Sequence, residues 1–236
     1  MCGIVGITST KEVTSRIIGS LKKLEYRGYD SAGIATISEN NINEVKCEGR
    51  VNELEKNVNQ IKLSGTIGIG HVRWATHGKP STINAHPHSS DNVSVVHNGI
   101  IENSTILKKI LEKKGYKFKS QTDTEVIVHL VTDYLKKNNL KDTIIKVLKK
   151  LHGSFALGII FKDQPDLIIG ARRGSPLAVG YGPDEHYLGS DSYALKSMTN
   201  KISYLNDGEF CILKKDQVEF FDADGTKVNK KILNLS

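Results

Sequence analysis

At 236 residues, 38% apolar and 25% charged, the chain can bury roughly 70% of its unfolded surface as one large or two small domains, without a disulfide or metal staple. Its net charge of +7 is carried by lysines spread over predicted helix faces, as in Lys108-Lys109, Lys136-Lys137 and Lys149-Lys150, with no basic block interleaved with aromatics, which argues against nucleic acid. No apolar run approaches the ~20 residues that span a bilayer, no signal-peptide pattern opens the chain, and Cys at position 2 excludes N-myristoylation, so no membrane and a reducing cytoplasm are expected.

Residues 2–7 read as a short buried strand. Val13, Ile17, Leu21 and Leu24 recur at three- and four-residue steps, which predicts a helix over 11–24. Arg27-Gly28-Tyr29-Asp30 breaks it, and strands follow over 33–37 and 42–47. A helix is predicted over 52–62, with Leu54, Val58 and Ile61 as its apolar stripe, then a strand over 66–71. Residues 73–91 are rich in His, Gly, Pro, Ser and Asn. A stretch that long without periodicity is either functional or disordered, and its Trp and three His argue against disorder. A strand over 93–97 ends in Asn98-Gly99. Helices are predicted over 103–114, 124–137 and 141–151. Strands then recur at short intervals, over 155–161, 167–171, 177–181, 202–205, 209–213 and 218–221, interrupted by a short helix over 192–198. Residues from about 225 to 236 are polar and basic and read as a tail or the start of a linker. A strand-rich chain with two helix clusters suits two stacked sheets with helices outside, an α+β fold in a single domain over 1–236.

Three cysteines at wide spacings, Cys2, Cys47 and Cys211, form neither a disulfide framework nor a zinc pattern. Cys47 and Cys211 fall in predicted strands and read as inert core residues. Cys2 has a second reading beside the same buried-strand role. A small second residue lets the initiator Met1 be removed, leaving a thiol and a free α-amine on one residue. Their ordinary pKa values, about 8.5 and about 7.7–8.0, nearly match, and an N-terminal amine can activate a nucleophile without a histidine. Asn98-Gly99 is open in the same way. It is a hairpin turn, or it is a side-chain NH2 beside a closely approaching backbone N–H, the two donor types an oxyanion needs. Arg73 opens the long loop beside Trp74; it is a surface arginine, or a planar fork for a carboxylate. Asp123 suits an ammonium, or caps the helix starting near 124. His71, His77, His86 and His88 raise the question of a metal, but no acidic or Cys ligand accompanies them at usual spacing, so none is expected.

Five segments occur in order: Cys2-Gly3-Ile4-Val5-Gly6, LEYRGYDSAG (Leu24–Gly33), HVRWATHG (His71–Gly78) with NAHPH (Asn84–His88), HNGIIEN (His97–Asn103) and TDTE (Thr122–Glu125). On these segments the chain resembles, over essentially its whole length, the N-terminal glutaminase domains of glucosamine-6-phosphate synthases (glutamine–fructose-6-phosphate aminotransferases). Amidophosphoribosyltransferases and asparagine synthetases share the N-terminal Cys and the Arg and Asn-Gly logic. The resemblance implies a four-layer αββα sandwich of the N-terminal-nucleophile hydrolase type. It implies that Cys2 hydrolyses L-glutamine through a thioester, with no cofactor and no metal.

The resemblance assigns Asn98 and Gly99 to the oxyanion hole, and Arg73 and Asp123 to the substrate carboxylate and ammonium. Thr76 and His77 belong to the loop that closes over glutamine, and His86 to the loop structure at the pocket. Trp74 on its own reads as core packing; the resemblance implies instead that it contacts the substrate pocket and gates an ammonia channel, near which Arg27 and Tyr29 lie. The ammonia passes to fructose 6-phosphate in a sugar-isomerase part, in cis or on a separate chain, of a full-length enzyme that is a homodimer. Nothing in these residues resembles that part. The alternatives are therefore a stand-alone amidotransferase subunit feeding another acceptor, and a non-catalytic glutamine-binding module.

Overall fold

The computed structural model describes residues 2–236, so the expected removal of Met1 lies outside the described residues. Gly3–Ser9 forms strand β1, Thr14–Lys23 helix α1, Ser31–Ser38 β2, Asn41–Glu48 β3, Val51–Ile61 α2 and Ile67–Arg73 β4, with a 3-10 turn at Glu25–Arg27. After the long loop come β5 (His88–Ser89), β6 (Val93–Ile101), α3 (Ser104–Lys113), α4 (Glu125–Leu135) and α5 (Leu140–Lys150). Then follow β7 (Gly153–Phe161), β8 (Gln164–Arg173), β9 (Ala178–Gly182), β10 (Glu185–Gly189) and α6 (Ser192–Leu195). The chain closes with β11 (Lys201–Tyr204), β12 (Phe210–Lys214), β13 (Val218–Phe221), β14 (Lys227–Val228) and β15 (Leu233–Asn234).

Among the described residues the strands make two sheets, an eight-stranded one in the order β15-β11-β9-β10-β1-β4-β2-β3 and a seven-stranded one in the order β14-β13-β12-β8-β7-β6-β5. The pairings are antiparallel. Ile4, Ile69, Val96, Ile160 and Leu188 belong to the apolar layer between the sheets. On the outer face of the first sheet, α1 and α2 bury Ile17, Leu21, Leu54 and Val58. On the outer face of the second, α3, α4 and α5 bury Leu107, Val131 and Ile144. These layers stack as helix, sheet, sheet, helix, the αββα order expected. Strands covered on both faces read as near-continuous apolar runs, and every residue of β1 is buried.

The structure departs from the sequence reading at several points. Asn98-Gly99 is not a strand end or a turn. β6 runs on to Ile101, with Asn98 opposite Ala156 and Gly99 opposite Phe155. Gly99 sits at φ +123°, and a Cβ there would run into the Ser154 carbonyl oxygen. Only glycine lets the strand continue. In α2 the buried stripe is Val51, Leu54 and Val58, while Ile61 is 61% exposed. β10 was not predicted, because Glu and His open it, yet it lies buried between β9 and β1. Glu185 is accommodated there by the Ser9 hydroxyl at 2.8 Å and by pairing with Arg16. The turn Gly182-Pro183-Asp184 is the signal that marks this strand. Residues 227–228 and 233–234 form β14 and β15, each added to the edge of a different sheet.

Leu54→Ala should lower the unfolding free energy by about 2–5 kcal/mol. Ile61→Ser should change it by less than about 0.5 kcal/mol. Urea denaturation of the two variants checks which residues form the buried stripe of α2.

Candidate active site

β1 and β4 are neighbours, with Gly3 opposite Val72, so Cys2 lies beside Arg73 at the end of β4. Cys2 Sγ accepts the Trp74 backbone N–H at 3.2 Å and lies 3.5 Å from the Trp74 carbonyl oxygen. From the other sheet, β6 presents Asn98, whose Nδ2 donates to the Cys2 carbonyl at 3.1 Å. Arg27 Nη1 reaches the same carbonyl at 3.5 Å, while its Nε and Nη2 hold Asp191 at 3.0 and 2.7 Å. Burial pushes the Cys2 thiol above its ordinary pKa, against the opposing effect of the Trp74 N–H. A thiol so placed needs an acceptor for its proton before it can attack. Cys47 and Cys211 are buried, and burial pushes their thiols up to about 11 and about 12.

Cys2, Arg73, Trp74, Thr76, His77, His86, His97, Gly99, Thr122, Asp123 and Thr124 line one cavity, which has about 10 Å³ of room, close to one water. Arg73 is 3% exposed, which removes the surface reading. Its Nη2 donates to the His77 and Gly78 carbonyls and its Nη1 to that of Lys79. Asp123 does not cap α4; the cap position is Thr124, without a side-chain cap bond. Asp123 Oδ2 instead accepts the Ile101 N–H at 2.7 Å, tying the approach to α4 onto β6. Trp74 is 54% exposed and meets Tyr29 edge to face at 6.5 Å, so it is not core packing. Arg27, Tyr29 and Asn98 do not line the cavity but touch residues that do, Arg27 and Asn98 through Cys2 and Tyr29 through Trp74.

His71, His86, His88 and His97 are all buried, and His86 and His97 form part of the cavity wall. His86 stacks on His71 at 4.0 Å and 9°. Its Nδ1 accepts the His97 N–H at 3.2 Å, and its Nε2 lies 3.4 Å from the Thr124 hydroxyl. That hydroxyl is 2.9 Å from His97 Nδ1, and His88 Nε2 is 3.0 Å from the Thr122 hydroxyl. Burial holds His71 and His88 at about 3, and lowers His86 and His97. They are uncharged imidazoles at neutral pH. Among the described residues no group of three or more His, Cys, Asp or Glu is arranged to hold a metal ion.

Sequence reasoning missed His97, Thr124, Asp30 and the purpose of Gly33. Asp30 Oδ2 accepts the Ala75 N–H and so anchors the start of the loop. A Cβ on Gly33 would run into the His86 carbonyl oxygen. A glycine inside a strand pattern signals such a close backbone approach.

A helix–sheet–sheet–helix sandwich with a cysteine at the head of a central strand is the architecture of the N-terminal-nucleophile hydrolases. Residues 73–197, more than half of the chain, match the glutamine amidotransferase domain. The chain is 53% identical to the glutamine–fructose-6-phosphate aminotransferase (isomerizing) of Mesorhizobium japonicum, over 98% of this chain and 38% of that protein. It is 50% identical to the protein of the same name from Clostridium acetobutylicum, over 100% of this chain and 39% of that one. Among solved structures, the glutamine phosphoribosylpyrophosphate amidotransferase of B. subtilis, complexed with ADP and GMP, matches with a TM-score of 0.81 at 29% identity, over 94% of this chain and 49% of that one. A glutamine aminotransferase class-II domain protein from Silicibacter pomeroyi shares the fold, with a TM-score of 0.66 at 13% identity, over 94% of this chain and 99% of that one. The chain belongs to the glutamine amidotransferase domain family. It spans about two-fifths of the length of the curated relatives it matches. No helix among the described residues is long and apolar enough to cross a membrane.

The buried histidines link stability to acid. Folded His71 and His88 titrate at about 3, against about 6.5 in an unfolded chain. The unfolded state therefore binds protons that the folded state refuses, and stability present above about pH 6.5 is lost as pH falls toward 3. The urea midpoint should drop between pH 7 and pH 5. His88→Gln should reduce the proton uptake on unfolding at pH 5 by about one. An unchanged uptake would show that His88 is already protonated in the folded protein.

Proposed function

We propose that this chain hydrolyses L-glutamine to glutamate and ammonia through a thioester on Cys2. The observation that carries the reading is the meeting of Cys2 with Arg73 and Trp74 from one sheet and with Asn98 from the other, beside a cavity lined by Gly99 and Asp123. With Met1 removed, the α-amine of Cys2 takes the thiol proton, and the sulfur attacks the side-chain carboxamide carbon. Asn98 Nδ2 and the Gly99 N–H stabilise the oxyanion. The C–N bond breaks, the amine's proton goes to the leaving nitrogen, and ammonia departs. Water, losing a proton to the same amine, then adds to the thioester; the C–S bond breaks and the thiol is restored. Arg73 binds the α-carboxylate and Asp123 the α-ammonium, which holds the side-chain amide at the sulfur. Thr76, His77 and Trp74 cover the substrate, and His86 supports the loop. Arg27 and Tyr29 border the ammonia's exit past Trp74.

The reading extends to the longer protein. The ammonia is used by a sugar-isomerase part in cis to convert fructose 6-phosphate to glucosamine 6-phosphate. This is supported by 47–53% identity to aminotransferases of that name, of which the chain spans 38–39%. The full-length enzyme works as a cytoplasmic homodimer, as the family resemblance implies.

Three outcomes test this with a sample whose mature N-terminus is Cys2. Cys2→Ala should abolish glutamate release; retained release rules out the thioester. Asn98→Ala should lower kcat by about 10²–10³-fold. The chain supplied with glutamine and fructose 6-phosphate, and no other protein, should release glutamate but form no glucosamine 6-phosphate, and its formation would place the acceptor chemistry within these residues.

A further inference from the structure

An amide side chain has the same shape either way round, but one end donates and the other accepts. Asn98 serves as an oxyanion donor only if its NH2 faces Cys2. The surroundings decide this through two backbone carbonyls, whose polarity is unambiguous. Asn98 Nδ2 faces the Cys2 carbonyl at 3.1 Å, so that end must be the NH2. At the other end, Asn98 Oδ1 is 3.1 Å from His71 Nε2, and the same Nε2 is 3.0 Å from the His97 carbonyl oxygen. A ring nitrogen facing a carbonyl must carry the hydrogen, so His71 is protonated on Nε2 and donates to Asn98 Oδ1 as well. A neutral imidazole then has a bare Nδ1, and His71 Nδ1 indeed has no hydrogen-bond partner among the described residues. The ring is 0% exposed and held face to face by His86, so its nitrogens cannot trade places without disturbing the core.

We infer that His71 is a positioning residue for the oxyanion donor: its Nε2–H anchors Asn98 Oδ1 and so keeps Asn98 Nδ2 turned to the reacting centre. This rests on the reading of Asn98 given above. His71 does not line the cavity and reaches Cys2 through Asn98, so its loss should lower kcat and leave glutamine binding alone.

The test compares His71→Leu, which removes the donor, with His71→Gln, whose amide NH2 stands the same number of bonds from Cα. Both are made in the chain with Cys2 at its mature N-terminus, and folding is checked by thermal unfolding. His71→Leu should lower kcat by about 10–100-fold, with KM for glutamine within about twofold. His71→Gln should recover most of the loss. Adding His71→Leu to Asn98→Ala should cost nothing further, because the two act as a unit. The inference is overturned if folded His71→Leu keeps its kcat, or if its effect is undiminished in the Asn98→Ala background.

Where His71→Leu fails to fold, ring 15N NMR of the unaltered protein gives the answer: a proton on Nε2 is expected for His71, and one on Nδ1 overturns the inference. If Asn98→Ala itself keeps full kcat, the oxyanion reading falls and the inference with it. If Asn98→Ala cuts kcat and folded His71→Leu does not, the inference falls alone.

Discussion

Cys2 is held from two directions by bonds that arise in different sheets. The Trp74 backbone N–H reaches its sulfur from the end of β4, and Asn98 Nδ2 reaches its carbonyl from β6. Chain ends are ordinarily the least ordered part of a domain unless something ties them down. Here the tie is the site itself. The apolar layer between the sheets sets the distance across which Asn98 must reach, so packing of residues such as Ile4 and Val96 fixes where the sulfur stands. A shift of one residue in the β1–β4 register would turn every β1 side chain to the opposite face and remove Cys2 from Arg73.

The wall behind the sulfur is polar but uncharged. Four buried histidines would be costly as imidazolium ions, and Arg73 nearby disfavours that form further for His71, His86 and His88. A neutral ring can donate at one nitrogen and accept at the other; threonine hydroxyls at 122 and 124 partner His88, His86 and His97, while His71 Nδ1 is left without a partner among the described residues. The arrangement sets Arg73 and Asp123, one basic and one acidic, against a neutral backdrop in the cavity wall. It also carries a cost in acid, because each ring is a proton site that opens only on unfolding.

The sequence made the helices legible, because apolar steps of three and four residues survive in any context. It also singled out Cys2, Arg73 and Asp123, which the fold brings to one cavity. Other features depended on partners far along the chain. Val51 and Ile61 both continue the Leu54–Val58 stripe, and only packing against the sheet selects Val51. Asn-Gly suits a turn and a strand interior alike; the Ser154 carbonyl beside Gly99 decides between them. Asp123 had a cap available and is taken by the Ile101 N–H instead. β10 hides behind Glu185, whose charge is answered by Arg16 from a helix some 170 residues earlier. β14 and β15 are two-residue strands at sheet edges, steadied by contacts such as Lys227 with Glu219, which a polar and basic sequence does not advertise. The histidine wall draws on residues 71, 86, 88 and 97 and on two threonines, and only the fold brings them together.

Arg73 already has company. Its guanidinium is occupied by the carbonyls of residues 77, 78 and 79, and the space beside it admits about one water. A guest the size of an amino acid must therefore dislodge peptide rather than solvent. A buried guanidinium stripped of acceptors is strongly unfavourable, so whatever takes the place of those carbonyls must bring acceptor oxygens of its own. The three carbonyls thus set a threshold: a group that displaced them without oxygens to offer would leave the charge buried and unanswered.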